Sequence, residues 1–105
     1  MFARLFQAEI KPDKGTEYNN KLATELDNTF KKLPGFLELI NMTSTQDPQR
    51  VVVVTFWRNK EDAENYHRNV APRLLDTIKP FLKATPTIET FTVDTTTGRK
   101  IATAA

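Results

Sequence analysis

Residues 51–69 read VVVVTFWRNKEDAENYHRN. In an extended chain, successive side chains point to opposite sides of a sheet. Val51, Val53, Thr55 and Trp57 therefore project one way, and Val52, Val54 and Phe56 the other. Both sets are apolar. A strand with one face to water alternates with polar residues, and this one does not, so protein has to cover it on both sides. Asn59 then has the chemistry of a helix N-cap, with Asp62 three residues on in the place of a capping-box acid. Ala63, Tyr66, His67 and Val70 share one side of the helix it opens.

The segments around this stretch complete a plan. FARLFQAEI (2–10) sets Phe2, Phe6, Ala8 and Ile10 on one face and Ala3, Leu5, Gln7 and Glu9 on the other, which predicts a strand. The turn KPDKGT offers Asp13 or Thr16 as an N-cap. Tyr18, Leu22, Leu26, Phe30 and Leu33 then recur at helical spacing until Pro34-Gly35 stops them, with Lys31 and Lys32 suited to the negative helix end. FLELINMTST (36–45) and RVVVVTFW (50–57) read as a hairpin around Asp47-Pro48. Strict alternation puts Phe36, Ile40 and Met42 opposite Leu37 and Leu39, with Asn41 on the second side. Pro72 suits the first turn of a further helical segment, whose apolar face is Leu74, Leu75, Ile78, Phe81 and Leu82, and Pro80 bends or ends it. TIETFTVD (87–94) is a last strand, and 95–105 a polar tail whose end is expected to be mobile.

The order β-α-β-β-α-β defines an α+β, ferredoxin-like domain over 1–94 with an antiparallel sheet. Helices from this chain cover one face of such a sheet. The second apolar face predicts a homodimer, sheet against sheet about a twofold axis; a monomer with a greasy open sheet is the alternative.

Composition narrows the partners. The 105 residues carry a net charge of only +2, with basic and acidic residues intermixed, so no nucleic-acid footprint is visible. There is no cysteine and one histidine, which argues against a thiolate or transition-metal site. No segment approaches a membrane span, and the N-terminus lacks the pattern of a signal peptide, so a cytoplasmic protein with no membrane partner is expected. The three glycines are not clustered into a phosphate loop, and no Gly-x-Ser-x-Gly elbow occurs.

The run VVVVTFWRNKEDAENYH, the following RLLDTIKPFLKATPTIETFTV, and PGFLELINMTS resemble the antibiotic-biosynthesis-monooxygenase domain of the dimeric α/β-barrel superfamily. The resemblance spans about residues 2–94 and rests mostly on structural positions. It implies a homodimeric barrel with a pocket between sheet and helices in each subunit. It also implies the chemistry of some members, in which a small phenolic or hydroquinone-like molecule is oxidised there by O₂ with no cofactor: no metal, flavin or haem. An ionised electron-rich ring can itself give an electron to O₂, so the protein needs a base, donors for the phenolate and a dry cavity.

His67 matches the family's helix histidine in Ala-x-x-x-His and is the candidate base, although the second histidine common in the family is missing from HRNVAPRL. A lone histidine on a helix flank also serves structural ends. Trp57 either walls the pocket with its N–H toward a ligand oxygen or fills the core. Tyr66, Gln7 and Asn41 are further pocket candidates; Glu9 shares the face of Gln7, and Arg58 and Arg73 either meet an anionic substrate or stay solvated. The haem-degrading branch of the superfamily is not matched: its Asn, Trp and His positions fall on Ala8, Tyr66 and Asp76. The expected function is a cofactor-independent monooxygenase or quinol oxidase; a non-catalytic small-ligand-binding or structural barrel protein is the alternative.

Overall fold

The structure is a computed structural model and describes residues 1–96; the end of the polar tail lies outside the described residues. The elements follow the expected order: β1 (Phe2–Glu9), α1 (Gly15–Asn28), β2 (Phe36–Thr43), β3 (Arg50–Trp57), α2 (Lys60–Asn69), α3 (Ala71–Ile78) and β4 (Thr87–Thr92). The four strands lie in the order β2-β3-β1-β4, every neighbour antiparallel, so α1 carries the chain from β1 across to the far edge.

Across the two central strands Phe2 pairs with Trp57, Arg4 with Thr55, Phe6 with Val53 and Ala8 with Val51. These pairs share the face on which the helices pack. Two clusters fill that layer. One joins Phe6, Ala8, Ile10, Tyr18, Val51, Val53, Ile78 and Leu82; the other joins Phe30, Trp57, Ala63, Tyr66, Ala71 and Leu74. Leu39 packs against both.

Local chemistry explains most boundaries. Asn59 Oδ1 accepts from the Asp62 N–H at 2.9 Å and caps α2, as its position predicts. Pro72 sits in the first turn of α3, where its missing N–H costs nothing. In the hairpin loop Asp47 Oδ1 accepts from the Gln49 N–H, and Ser44 Oγ from the Gln46 and Asp47 N–H groups. Gly35 has φ +74 and its Cα faces the Asp62 side chain, so a Cβ would fail there on both counts.

Three local expectations change. Neither Asp13 nor Thr16 caps α1: Lys14 occupies that position without a side-chain bond, and Asp13 takes φ 64 in the turn before it. The helix ends at Asn28, and a 3-10 turn over Phe30–Lys32 carries the last of the stripe. In β2 a bulge between Phe36 and Glu38 breaks the alternation. Phe36, Leu39 and Asn41 consequently pair with Trp57, Thr55 and Val53 on the helix side, while Ile40 and Met42 pair with Val54 and Val52 on the other.

That other side has no helix over it. Leu5, Ile40, Val52, Val54 and Phe56 are half-buried there, and Met42 and Phe91 are exposed. No helix among the described residues is long and apolar enough to cross a membrane.

Candidate active site

The helices do not seal completely onto the sheet. A cavity of about 260 Å³ lies between them. Phe6 and Val53 form its floor, Leu22 and Phe30 one wall, and Leu74, Leu75 and Ile78 another. Its exposed members His67, Pro72 and Ile88 mark the side toward solvent. Six polar side chains interrupt this lining: Arg4 and Thr55 from the sheet, Tyr18 and Glu25 from α1, and Tyr66 and His67 from α2. An apolar hollow with a few convergent polar groups is what a small-molecule site requires.

Arg4 occupies the middle of the greasy face of β1 and is only 5% exposed. Its guanidinium lies over the Tyr66 ring, 5.0 Å from the centroid, and Nε donates to His67 Nδ1 at 3.4 Å. That contact makes Nδ1 an acceptor and so leaves the proton of a neutral imidazole on Nε2. Burial pulls the Arg4 guanidinium below its ordinary value, and the Tyr66 phenol works in the opposite direction. The group stays charged, because no arginine titrates near neutrality. For Tyr66, burial raises the phenol, Arg4 opposes the rise and Glu25 adds to it. Tyr18 is fully buried, and burial pushes its phenol up to about 12. Among the described residues its hydroxyl is the one buried side-chain polar atom without a hydrogen-bond partner. Glu25 accepts from Thr29 Oγ1 at 2.7 Å.

The candidates taken from the sequence separate into two groups. His67 and Tyr66 meet at the cavity. Trp57 lies beside it but not on its lining: the indole is fully buried, stacks on Tyr66 at 5.0 Å and meets Phe36 edge-on at 5.6 Å. Its N–H is not free for a ligand, since Nε1 donates to Thr55 Oγ1 at 2.9 Å. Thr55 itself lines the cavity, so Trp57 holds two residues, Thr55 and Tyr66, that do border it. Gln7 is on the opposite face of the sheet, paired with Val52 and Thr87, where a shallow depression also takes in Glu9 and Arg50. Asn41 has the correct face but is exposed toward the β2 edge, where its Nδ2 donates to Asn19 Oδ1 at 3.0 Å. Arg58 and Arg73 are exposed and do not line the cavity.

Arg4 and Tyr18 were the residues to miss. Tyr18 looks like the first apolar residue of a helical stripe, and nothing in its spacing shows an orphaned hydroxyl. Arg4 did leave a signal: period two places an arginine between Phe2 and Phe6 on a face that is otherwise apolar.

An antiparallel four-stranded sheet carrying its helices on one face, with a cavity between the layers, places the chain in the ferredoxin-like class. Within that class it belongs to the antibiotic biosynthesis monooxygenase family, whose profile matches residues 1–73. Solved structures agree on the fold. A Nitrosomonas europaea protein classed with the antibiotic biosynthesis monooxygenases superposes with a TM-score of 0.77 at 17% identity, over 92% of this chain and 93% of its own. SnoaB from Streptomyces nogalater, described as a cofactor-independent oxygenase, superposes in a variant form with a TM-score of 0.76 at 12% identity, over 90% and 94%. A second N. europaea protein, NE2512, of unknown function, gives 0.76 at 16% identity, over 94% of each chain. No curated protein matches the sequence.

Proposed function

We propose that this protein is a cofactor-independent monooxygenase or quinol oxidase that acts on a small electron-rich aromatic in the cavity between sheet and helices. The observation that carries the proposal is the placement of His67: an imidazole at the solvent side of an apolar cavity, with Nδ1 accepting from a buried guanidinium. Family membership and the likeness to an oxygenase that works without a cofactor support the reading. A cavity of about 150 Å³ can hold benzene, so 260 Å³ has room for a substituted aromatic ring.

The chemistry follows from the residues. His67 Nδ1 exchanges its long contact with Arg4 for a phenolic hydroxyl and takes the proton. The apolar walls limit water around the resulting anion, which transfers one electron to O₂ and forms a radical pair with superoxide. When a second electron and a proton follow from the ring and His67 returns the proton it took, a hydroquinone leaves as the quinone and O₂ as H₂O₂. When the pair instead joins at a ring carbon that is CH₂ in the keto form and CH in the ionised enol, His67 protonates the peroxide, and loss of water from the hydroperoxide leaves a carbonyl with one oxygen atom retained. Trp57 acts as a positioning residue through Thr55 and Tyr66.

The working unit in this proposal is a homodimer, formed by pairing the apolar sheet faces that carry Val52, Val54 and Phe56. Gln7 and Glu9 then fall inside the paired barrel, apart from the oxidation site.

O₂ uptake with a panel of hydroquinones and anthrones tests the enzyme reading. Substrate-dependent uptake is expected, lowered by about 10²- to 10⁴-fold in His67→Ala. Uptake unaffected by His67→Ala would remove His67 from the mechanism. A wild-type protein silent across the panel would leave the non-catalytic ligand-binding reading in its place.

A further inference from the structure

Among the described residues, Arg4 is the one formally charged side chain that the fold buries, at 5% exposed. It receives no opposite charge there. The ion pairs among the described residues are Lys14–Glu17, Lys31–Asp27, Lys60–Glu64 and Lys83–Glu9, all between exposed or half-exposed side chains. Burial of an unpaired guanidinium is costly, and the Tyr66 ring with one long bond to His67 is modest compensation. The terminal nitrogens have no side-chain or backbone acceptor among the described residues, and the side chain borders the cavity. Independently, α1 supplies Tyr18, a lining residue of the same cavity whose buried hydroxyl has no hydrogen-bond partner.

The two unmet groups serve different ends of the space. Arg4 stacks on Tyr66, in the core cluster of Trp57 and Leu74, whereas Tyr18 packs with Phe6, Val53 and Ile78. The other titratable groups on the lining are Glu25, Tyr66 and His67. Glu25 is engaged by Thr29 and lies two helical turns beyond Tyr18 on α1, roughly 10 Å along the axis.

We propose that the cavity is built to receive a small aromatic ring bearing an anionic oxygen, held on the Arg4 guanidinium, with an acceptor group at its other end for the Tyr18 hydroxyl. Phenolate and carboxylate share this chemistry, and a planar fork of N–H donors suits either. The inference rests on the oxygenase reading only in taking this cavity as the substrate site; binding needs no turnover.

Three probes of nearly one size carry the same nitro acceptor: 4-nitrophenol, 4-nitrobenzoate and the uncharged 4-nitrobenzamide. Titration calorimetry on the wild-type protein is expected to show at least one anion bound about tenfold or more tightly than the amide. Arg4→Met abolishes that preference, and Arg4→Lys keeps part of it. Tyr18→Phe weakens all three probes by a similar factor, because each offers the same nitro group to the hydroxyl. Below the pKa of free 4-nitrophenol, a yellow bound species identifies phenolate as the preferred form; tight nitrobenzoate with colourless nitrophenol identifies carboxylate. Equal affinity for amide and anions, or no binding of any probe, overturns the proposal without recourse to a variant that fails to fold. Anion-selective binding with no O₂ uptake from any quinol would sink the oxygenase and leave this site standing. Uptake without anion preference would do the reverse.

Discussion

Phe56 and Trp57 are neighbours in sequence and lie on opposite sides of one sheet. Trp57 is fully enclosed by Tyr66, Phe36 and its bond to Thr55, whereas Phe56 is half-buried beside Val54 and Val52 with no helix above it. The covered face is closely packed except for one hollow, and there the sequence admits an arginine, a threonine and two tyrosines. The uncovered face is apolar at Ile40, Val52, Val54 and Phe56 and also carries Gln7, Glu9, Glu38, Arg50 and Glu89. In the proposed reading, ligand chemistry belongs to the first face and association to the second. Hydrophobic burial is indifferent to what covers it, so the same residue types serve a core and an interface. Polar groups are not indifferent, and their placement marks the site.

Truncating each of the two aromatics should break the symmetry most visibly. Trp57→Ala is expected to destabilise by about 3–5 kcal/mol at any protein concentration, since it empties a closed core. Phe56→Ala should instead produce a loss that grows as the protein is diluted, with a shift from dimer to monomer in light scattering. Chemical denaturation at two protein concentrations checks both. A concentration-independent Phe56→Ala would remove the association role from the open face.

A smaller effect comes from alkali. Tyr18 has its phenol pushed up to about 12 in the folded chain, against about 10 when unfolded. The folded state therefore holds the proton more tightly. The stabilisation is fully present below about pH 10 and is lost as pH rises from about 10 to 12, on the order of 2–3 kcal/mol in all. Tyr66 is shifted in the same direction. Tyr18→Phe should flatten part of this dependence and, near neutrality, raise stability by about 1 kcal/mol by removing an orphaned hydroxyl. Denaturant melts at about pH 9 and 11 test this. A steeper alkaline loss in the variant would contradict the burial of the phenol.

The two faces differ equally in how far they could be read from sequence. The strand at 50–57 is apolar on both sides, so both faces could be read from it, and the segments around it supplied the helix-capping Asn59 and the ferredoxin-like order. Parity also put Gln7 opposite Phe6, and the structure keeps it there. Parity fails in β2 because a bulge inserts one residue, and FLELINMTST contains no glycine to announce it. The site was only partly legible. His67 and Tyr66 follow from helix spacing, but whether the Trp57 N–H is free depends on Thr55, two residues back on the same face. Asn41 needed the position of Asn19 on another element. Arg4 was visible as a breach of pattern, yet only the packing of α2 over β1 shows that no carboxylate meets it.

A crystal structure of the protein with 4-nitrobenzoate is the most direct test of the division between the two faces. The account predicts the ring between Phe6, Phe30 and Ile78, its carboxylate on Arg4 and its nitro group toward Tyr18, with the open sheet face against a second copy. A ring seated instead over Val54 and Phe56, with the helix-side cavity left to solvent, would contradict it.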